Sequence, residues 1–581
     1  MDFRRTILWV VFLMSSAFLS DAYLRSTGQA GFLGVPNKTS TAPNTSTNAP
    51  ANTPSSTSTN ALPKTPTNTT KAGDSVPATA ASVTAMPSNS ATTAVGKLVN
   101  LSNSVLSLQI DTVGGNVVRA ELLKHRSDQN SKQNEVLIQS GNKPYLAQSG
   151  FLGESANKAT LPNHTAQTIY TIVSESDDKV VLEALVDGAK ASKTFVLTPD
   201  SYSISVNHTL TNTGSAAITP SLYLQLLRHG AAPEGESQFY STFTGPAVYT
   251  DEKKFQKIDF SDIEKNKAKF QKTTKEGEPS WVGIVQHYFV SAWIAKENKA
   301  RELETDAITG ADGGRHYRVR SKQNLGTLAA GASVSHDATL YVGPQDQEAL
   351  EKIAPGLELV VDYGVFTIIA KPMFAALKYF QGLTGNWGWA IVLLTVSIKA
   401  LLYLPMAMSY RSMAKMKNVA PKMKEMQAKY GDDKAQLNKA MMELYRTEKI
   451  NPLGGCLPIL LTIPIFMSLY WVLLGSVEMR NAPWIGWITN LSTPDPWYIL
   501  PVFLGATMWA QFKLSPTPPD PMQARMMMVM QGVFAIMFLF FPAGLNLYYF
   551  VNNLLSIAQQ WYITRALEKE GLQERPEKKK K

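Results

Sequence analysis

The sequence is poor in the residues that build metal centres and covalent active sites. It has one cysteine, Cys456, among 581 residues, so no intramolecular disulfide and no thiolate metal cluster can form. All seven histidines lie between His125 and His336, and none has the spacing of metal ligands. We therefore predict a fold that depends on no cysteine chemistry and a function that needs no metal and no cofactor.

Motifs of nucleotide-driven and hydrolytic enzymes are also missing from the C-terminal half. It contains no P-loop, nucleophile elbow, HExxH or paired-carboxylate motif, and Gly454-Gly455 lacks the Lys-Ser/Thr of a P-loop. The chain is nevertheless 44% hydrophobic, and its long, almost uncharged runs lie at residues 6–20 and after about residue 385. This pattern excludes a soluble single-compartment enzyme and predicts a membrane protein that is not an enzyme.

The N-terminal 95 residues predict an anchor followed by a tether. Arg4 and Arg5 precede an apolar stretch without a clear small-x-small cleavage site, which favours a signal-anchor transmembrane helix over 1–24 rather than a cleaved signal peptide. Between Asn37 and Ser90, 45 of 54 residues are Ser, Thr, Asn, Ala or Pro, too few apolar side chains to offset the entropy of ordering. We predict a disordered linker over 25–95.

Residues 96–345 have the pattern of an all-β domain. Polar and apolar residues alternate in stretches such as Tyr202-Ser203-Ile204-Ser205-Val206, and Gly, Asn, Asp and Pro separate these stretches. The strands are short and no helical pattern intervenes, so two packed antiparallel sheets are favoured over βαβ units. We predict a periplasmic β-sandwich.

The remaining third predicts a compact helical membrane body. Residues 357–380 form an amphipathic interfacial helix that Pro372 should bend or break. Basic residues on both sides of the long apolar run after Met526 require two crossings with a turn at Pro542, so both termini are expected in the cytoplasm. Including the anchor, we predict six transmembrane helices, the last five over 385–405, 457–477, 497–512, 526–541 and 544–563, followed by a basic tail over 564–581.

Residues 406–451 predict a cytoplasmic helical hairpin. The segment carries ten Lys or Arg residues against five acidic ones, and Gly431-Asp432-Asp433 supplies a turn. In addition, 17 of the 21 methionines lie between Met406 and Met537. Flexible thioether side chains suit a surface that accepts varied apolar polypeptides beside something anionic, such as ribosomal RNA or lipid headgroups, although ordinary helix packing explains them equally well.

Lys399 is the most informative residue of the helical part. A charge within an apolar helix costs roughly 2.5 to 3.5 kcal/mol, so Lys399 should face a polar cavity unless its side chain snorkels to the interface near Pro405. No Asp or Glu follows in the spans before Glu478, which favours a water-filled cavity. Polar residues that could line this cavity, or simply bond between helices, include Ser397, Gln511, Gln531, Asn546 and Asn552.

A set of short motifs follows in order between residues 361 and 549. They are Val361-Asp362-Tyr363-Gly364, Gly385-Asn386-Trp387-Gly388, Ser412-Met413-Ala414-Lys415-Met416, Asn451-Pro452-Leu453-Gly454-Gly455-Cys456, Gly475-Ser476-Val477-Glu478, Asp520-Pro521-Met522-Gln523, Phe541-Pro542-Ala543-Gly544-Leu545 and Tyr548-Tyr549. In these motifs and their order the chain resembles the YidC/Oxa family of bacterial membrane protein insertases in its long Gram-negative form. The anchor, the β domain and the basic tail agree with this resemblance.

This resemblance implies a five-helix insertase core with a hydrophilic groove that is open to the cytoplasm and to lipid. Lys399 would supply the groove's positive charge where the family usually has Arg, and Trp387, Thr395, Tyr548 and Tyr549 would lie near the passing substrate. Lys keeps the charge but loses the bidentate geometry of Arg. Recruitment would involve the hairpin residues Met413, Lys415, Met416, Lys417 and Lys422.

The implied location is the bacterial inner membrane, and the implied partners are macromolecules and lipids. These are nascent membrane proteins, the Sec translocon, the ribosome and the signal recognition particle pathway through the hairpin and tail, and membrane lipids, with no small-molecule substrate. Two alternatives stay open: a periplasmic carbohydrate-binding or carbohydrate-modifying domain, because the family's β domain resembles sugar-mutarotase folds, and a channel or transporter, which the lack of evident repeats disfavours.

Overall fold

The structure is a computed structural model that describes residues 96–127, 132–155, 157–233, 242–265, 271–310, 313–430, 433–448, 457–515 and 521–569. The predicted anchor and linker lie outside these residues, as do Cys456 and residues 570–581 of the predicted tail. The described residues belong to two units. One runs to Pro344 and includes Glu351–Val360, and the other comprises Gln345–Leu350 and the residues from Val361 onward.

The first unit contains eighteen described strands. They are β1 Leu98–Ser102, β2 Leu106–Asp111, β3 Asn116–Arg126, β4 Asn134–Gln139, β5 Tyr145–Leu152, β6 Thr171–Glu175, β7 Lys179–Val186, β8 Ala189–Leu197, β9 Ser203–Asn212, β10 Ser221–His229, β11 Gly245–Thr250, β12 Lys254–Lys257, β13 Gln271–Thr273, β14 Ser280–Gln286, β15 Phe289–Ala295, β16 Glu302–Thr309, β17 Arg315–Asn324 and β18 Ser333–Pro344, with a short helix α1, Phe260–Glu264, between β12 and β13.

These strands form two nine-stranded antiparallel sheets, which confirms the predicted β-sandwich. One sheet has the order β1-β2-β3-β4-β5-β10-β17-β16-β13 and the other β12-β11-β14-β15-β18-β9-β8-β7-β6. Strand β9 shows how the sequence specifies the fold, because buried and partly exposed residues alternate along its whole length. The sheets face each other across the core, where the Trp293 indole of β15 donates to the Gln225 carbonyl of β10 at 3.0 Å.

A charged side chain also joins the two sheets in the core. Lys193 of β8 is fully buried, and its Nζ donates to the carbonyls of Gly114, Gly115 and Ser149 at 2.8 to 3.1 Å. The same ammonium lies 4.8 Å from the centre of the Tyr170 ring. Three acceptors use all three of its N–H groups, which is how a protein interior accommodates a charge. Burial nevertheless lowers the pKa of Lys193 to about 7.

We expect Lys193 to make the stability of the β domain depend on pH. Its pKa is about 7 in the folded chain and about 10.4 when unfolded, so charging it costs folding free energy that accumulates as the pH falls from about 10 to about 7. Relative to Lys193→Met, the native chain should lose on the order of a few kcal/mol of unfolding free energy across this window. Urea unfolding of the detergent-solubilised chain, followed by circular dichroism, measures the difference.

Neighbouring groups do not titrate in that window. Burial, followed by the charges of Lys193 and His336, lowers the pKa of His208 to about 3, and burial raises the pKa values of Tyr170 and Tyr223 above their ordinary range. A parallel pH dependence in the native chain and in Lys193→Met would contradict the prediction.

The second unit is helical. Its elements are α2 Gln347–Ile353, whose last residues belong to the first unit, α3 Thr367–Thr384, α4 Trp387–Leu401, α5 Tyr403–Tyr430, α6 Lys434–Thr447, α7 Leu457–Gly475, α8 Ile499–Leu514, α9 Pro521–Met537 and α10 Ala543–Lys569, with 3-10 turns at Gly364–Phe366, Val477–Met479 and Phe538–Phe540. A further 3-10 turn, Leu357–Val360, belongs to the first unit.

The helix predicted over 357–380 is shorter than expected. Gly364 has a left-handed backbone with a φ of 60°, and its N–H binds the Asp362 carboxylate, so the chain turns there and the helix begins at Thr367. Pro372 lies inside helix α3 and does not interrupt it. The sharp bend comes later, at Leu402, where helices α4 and α5 meet at 66° and divide the span predicted over 385–405.

The apolar helices of the second unit are short or bent. Within the residues that the structure describes, no single helix is both long and apolar enough to cross a membrane, whereas Trp387–Leu401 and Tyr403–Met416 meet the requirement as a bent pair. Leu461–Gly475, Ile499–Leu514 and Met527–Phe540 are shorter apolar segments.

Candidate functional site

Helices α4 and α10 lie side by side and run in the same direction. At their beginnings, Gly544 is so close to Ile391 that a Cβ atom on the glycine would lie 3.4 Å from Ile391 Cδ1. Further along, Lys399 Nζ reaches Ser556 Oγ at 2.6 Å. Beyond the end of α4, the Gln559 amide donates to the Tyr403 carbonyl at 3.2 Å. Residue numbers rise together on both helices, so the two are parallel.

Lys399 belongs to a small polar cluster at the C-terminal end of α4. Its ammonium donates to the Ser556 hydroxyl, which in turn donates to the backbone carbonyl of Asn552 at 2.7 Å. The Tyr410 hydroxyl of α5 also interacts with Ser556. We call Lys399, Tyr410, Asn552 and Ser556 the lysine cluster. Lys399 lies in the last turn of α4 rather than near its middle, where a cation also interacts favourably with the helix dipole.

The lysine cluster contains a charge without a carboxylate partner among the described residues. Lys399 is partly exposed, whereas its neutral acceptor Ser556 is 3% exposed. A neutral hydroxyl is a weaker partner for an ammonium than a carboxylate is. The site can therefore attract an anionic group from another molecule.

Trp387, Thr395 and Ser397 occupy different environments on α4. Trp387 is partly buried in the first turn. Thr395 is 1% exposed and donates to the Ile391 carbonyl, so its hydroxyl is occupied within its own helix. Ser397 is exposed and donates in the same way to the Leu393 carbonyl. Among the described residues, no hydrogen bond joins any of these three side chains to the lysine cluster.

The tyrosines predicted to contact substrate lie on α10 one to two turns before the lysine cluster. Tyr548 is 3% exposed, and Tyr549 packs its ring against Phe466 and Phe538 with centroids 4.8 and 4.7 Å apart. Asn546, predicted to line the groove, is fully buried instead. Its amide donates to the carbonyls of Phe538 and Phe541, and it therefore holds the turn that leads into α10.

The other polar candidates are dispersed. Asn552 joins the lysine cluster through its carbonyl oxygen rather than its side chain. Gln511 on α8 and Gln531 on α9 are partly buried. Helix α8 instead bonds to α10 through Asn553 and Thr507, 3.4 Å apart, and through Gln560 and the Leu514 carbonyl, 3.2 Å apart. These contacts make α8 parallel to α10 as well.

The sequence analysis missed Ser556 and Tyr410. Both are ordinary polar residues of a helix when viewed singly, but Asn552, Ser556 and Gln559 follow each other at spacings of four and three residues. That spacing places them on one helix face, a signal that could have identified the face that meets α4.

A loop closes the opposite end of the helices. We call residues 480–498 the aromatic loop because it contains Trp484, Trp487 and Trp497. The Asn386 side chain caps α4 by accepting from Trp389 N–H, and it also donates to the carbonyls of Pro483 and Trp484 at 3.2 and 3.1 Å. The N–H groups of Ala543 and Gly544 donate to the carbonyls of Thr493 and Leu491. The starts of α4 and α10 are thereby bound to one loop.

A buried carboxylate holds the aromatic loop in shape. Asp495 is fully buried and accepts from the Trp487 indole at 3.0 Å and from the backbone N–H of Leu500, in the first turn of α8, at 2.7 Å. Trp487 stacks on Trp497 at 6.0 Å. Since the carboxylate sits at the start of α8, it is also stabilised by the helix dipole.

The hairpin uses its methionines for its own packing. Val419, Met423 and Leu444 form a buried cluster between α5 and α6, and Met416, Met426 and Met441 pack around it. Met413 packs instead on a cluster that includes Tyr410 and Ile563. Met413 and Met416 are thus partly buried by packing, as ordinary helix packing would have them, and their role in recruitment stays a prediction.

The basic residues of the hairpin differ in their pairing. Lys415 is exposed on α5, whereas Lys422 forms a 2.7 Å ion pair with Glu448 across the hairpin. The side chain of Lys417 lies outside the described residues.

Two arginines of the β domain are paired with carboxylates on a neighbouring strand. Arg318 and Arg320 of β17 form ion pairs with Asp306 and Glu304, which lie directly opposite on β16. Such cross-strand pairs stabilise a sheet. They give no specific support to a carbohydrate site.

Close contact between α4 and the aromatic loop generates a stability prediction. A Cβ atom on Gly388 would lie 2.1 Å from Trp484 Cδ1, so Gly388→Ala must displace the indole next to the carbonyls that Asn386 binds. We expect a loss of about 1–3 kcal/mol in stability, as for other overpacked sites. Thermal unfolding of the full chain in detergent measures it.

Gly382→Ala is the matched control. Gly382 lies in helix α3 with nothing within 4 Å of its would-be Cβ atom, so alanine should leave the melting temperature unchanged or raise it slightly. Equal melting temperatures for Gly388→Ala and Gly382→Ala would contradict the role given to the Trp484 contact.

Comparison with known proteins gives a consistent result along the chain. The family profile described as "YidC periplasmic domain" matches residues 98–376, and the profile "60Kd inner membrane protein" matches residues 379–570. The chain is 49% identical over 575 residues to the membrane protein insertase YidC of Bordetella avium, with 98% of this chain and 99% of that protein covered.

A protein from a second bacterium is similarly related to the chain, and a solved structure is similar to it at lower identity. The membrane protein insertase YidC of Cupriavidus necator is 46% identical over 578 residues, with 98% of each chain covered. A crystal structure of an active YidC insertase with its first transmembrane domain resolved is similar over 81% of this chain and 95% of that one, at 18% identity and a TM-score of 0.36.

Proposed function

The chain belongs to the YidC family of membrane protein insertases, and we propose that it inserts newly made proteins into the bacterial inner membrane and helps them fold, alone or with the Sec translocon. Its family profiles are those of an inner-membrane protein with a periplasmic β domain. Insertion makes and breaks no covalent bond, so the proposed function is not enzymatic and requires no cofactor.

One observation carries this proposal for the described residues. The Lys399 ammonium lies between parallel helices, bound by a hydroxyl and by no carboxylate that the structure describes, and the residue is partly exposed. A cation in that position attracts the acidic part of a substrate as it enters the membrane. Transfer of the substrate's apolar span into lipid then supplies the free energy that completes insertion.

The proposed topology follows from charge. Six spans place both termini and the basic hairpin in the cytoplasm and the β domain in the periplasm. In that orientation the lysine cluster lies toward the cytoplasmic side and the aromatic loop lies toward the periplasmic side. The hydrogen bonds of the loop to Asn386, Ala543 and Gly544 support a groove that is closed outside. The substrate would thus meet the cation before it meets the closed end.

Replacing Lys399 tests the role of the charge. Purified full-length chain in liposomes should insert a single-span substrate with an acidic N-terminal tail, and Lys399→Arg should do so at a similar rate. Lys399→Ala should be slower by about tenfold, the effect of roughly 1.4 kcal/mol of lost attraction, while a substrate with a neutral tail is affected less. Protease protection of the inserted tail measures the rate.

Lys371→Ala is the control for charge as such, because Lys371 is exposed on α3 and outside the lysine cluster. Equal insertion of the acidic substrate by the native chain and Lys399→Ala would show that the cation is dispensable. Solute flux without any protein substrate would instead favour a channel, and sugar binding would favour the carbohydrate alternative.

We propose that the hairpin and the basic tail recruit ribosomes and the signal recognition particle pathway. Other lysines and arginines of these two segments would contact lipid headgroups. Lys415 is exposed and forms no ion pair with any residue that the structure describes, which supports a contact with phosphate groups. Lys422 shares its charge with Glu448 and should contribute less.

This difference can be measured by salt dependence. Lys415→Gln should weaken binding of the full chain to ribosomes that carry a nascent membrane protein, and should reduce the slope of log affinity against log salt by about 1. Lys422→Gln should reduce it by less, because Glu448 already neutralises that charge. A larger effect at Lys422 than at Lys415 would contradict the prediction.

A further inference from the structure

The Lys399 side chain could extend in either of two directions. It lies in the last turn of α4, three residues before the 66° bend at Leu402, and its four-carbon stem is long enough to carry the ammonium toward the nearby interface. In the structure the side chain extends across to α10 instead, where its Nζ donates a hydrogen bond to Ser556 Oγ at 2.6 Å. An acceptor on α10 is therefore needed to explain why the charge stays between the helices.

Ser556 is arranged to accept and not to donate. Its single hydroxyl hydrogen is bound to the Asn552 carbonyl one turn earlier, at 2.7 Å, which leaves only lone pairs for the ammonium. The residue is 3% exposed, and Tyr410 lies beside it. The acceptor is thus in place before Lys399 binds it.

The strength of this acceptor also matters. A hydroxyl gives an ammonium a hydrogen bond without neutralising its charge, and a carboxylate gives both a hydrogen bond and an ion pair. A carboxylate from a substrate can therefore replace Ser556 as the partner of Lys399, whereas a carboxylate at position 556 would retain the cation permanently.

We propose that Ser556 is a positioning residue: it holds the Lys399 ammonium between α4 and α10 while the site is empty and gives it up to an acidic group of the substrate. This rests on the proposed insertase function and adds the residue that keeps the cation available. Ser556 acts through Lys399 and needs no contact with the substrate.

The test uses the full-length chain in liposomes and two single-span substrates that differ only in having an acidic or a neutral N-terminal tail. Ser556→Ala should slow insertion of the acidic substrate by about five- to tenfold, approaching the tenfold effect expected for Lys399→Ala because Ser556 acts only through Lys399, and should change the neutral substrate by less than about twofold. Ser556→Thr, which keeps the hydroxyl, should insert both substrates as the native chain does. Ser556→Asp should slow the acidic substrate at least as much as Ser556→Ala.

Two comparisons separate positioning from structural damage. In a Lys399→Ala background, Ser556→Ala should have no further effect, because the group that it positions is gone. Ser468→Ala is the matched control: Ser468 is likewise fully buried and donates to the carbonyl four residues earlier, that of Pro464, but lies on α7 away from Lys399. It should leave both substrates unaffected.

The contrary outcomes are distinct. Equal slowing of both substrates, an additive loss in the Lys399→Ala background, or failure of Ser556→Thr to insert would assign Ser556 a purely structural role and overturn the proposal. A Ser556→Ala chain that inserts the acidic substrate at the native rate would overturn it as well, and the insertase function would stand. If the native chain inserts neither substrate, the proposed function fails and the positioning role fails with it.

Discussion

The hydrogen bond between Lys399 and Ser556 depends on two helices that run parallel, and this requirement constrains the helical unit. Parallel neighbours begin at the same end, so the chain must return to that end between them. Helices α5 to α9 make this return, and α8 joins the parallel set through its contacts with α10 at Asn553 and Gln560. The position of the Lys399 ammonium thus depends on the alignment of α4 with α10, two helices that are far apart in the sequence.

The aromatic loop sets that alignment. It binds Asn386 at the start of α4 and Ala543 at the start of α10. Lys399 is 13 residues after Asn386 (399 − 386), and Ser556 is 13 residues after Ala543 (556 − 543). At a rise of 1.5 Å per residue, both side chains lie about 20 Å from the loop, so they meet at the same level. Gly388 matters for the same reason, since only a residue without a side chain lets Trp484 approach the first turn of α4.

Local patterns in the sequence predict part of this arrangement. The alternation of apolar residues identified the β-sandwich because the period of a strand is visible in the sequence itself. Lys399 was identifiable because a charge in an apolar run is rare. Its partner was not, because a serine in a helix is most simply read as bonding to its own backbone, which Ser556 does as well. Only the three-dimensional alignment of α4 with α10 reveals its second bond.

The predictions that differ from the structure have a common cause. Asn546 was expected in the groove because it is polar, yet its amide is needed to bind two backbone carbonyls at the turn before α10. Met416 was a candidate for an exposed apolar surface, yet the hairpin requires a core of its own. The left-handed Gly364 shortens the helix predicted over 357–380. In each case a backbone or packing requirement, which composition does not report, decides where the side chain lies.

Two lysines illustrate how a protein fixes a charge or makes it available. Lys193 in the β domain is fully buried, and three backbone carbonyls satisfy all of its N–H groups, so nothing can replace those partners without unfolding the sandwich. Lys399 is partly exposed and has one neutral acceptor in the described structure. An ammonium with bonding capacity to spare gains free energy when a carboxylate arrives, whereas one that is fully satisfied does not. The number of acceptors around each ammonium therefore distinguishes a lysine that is confined to the core from one that can bind a partner.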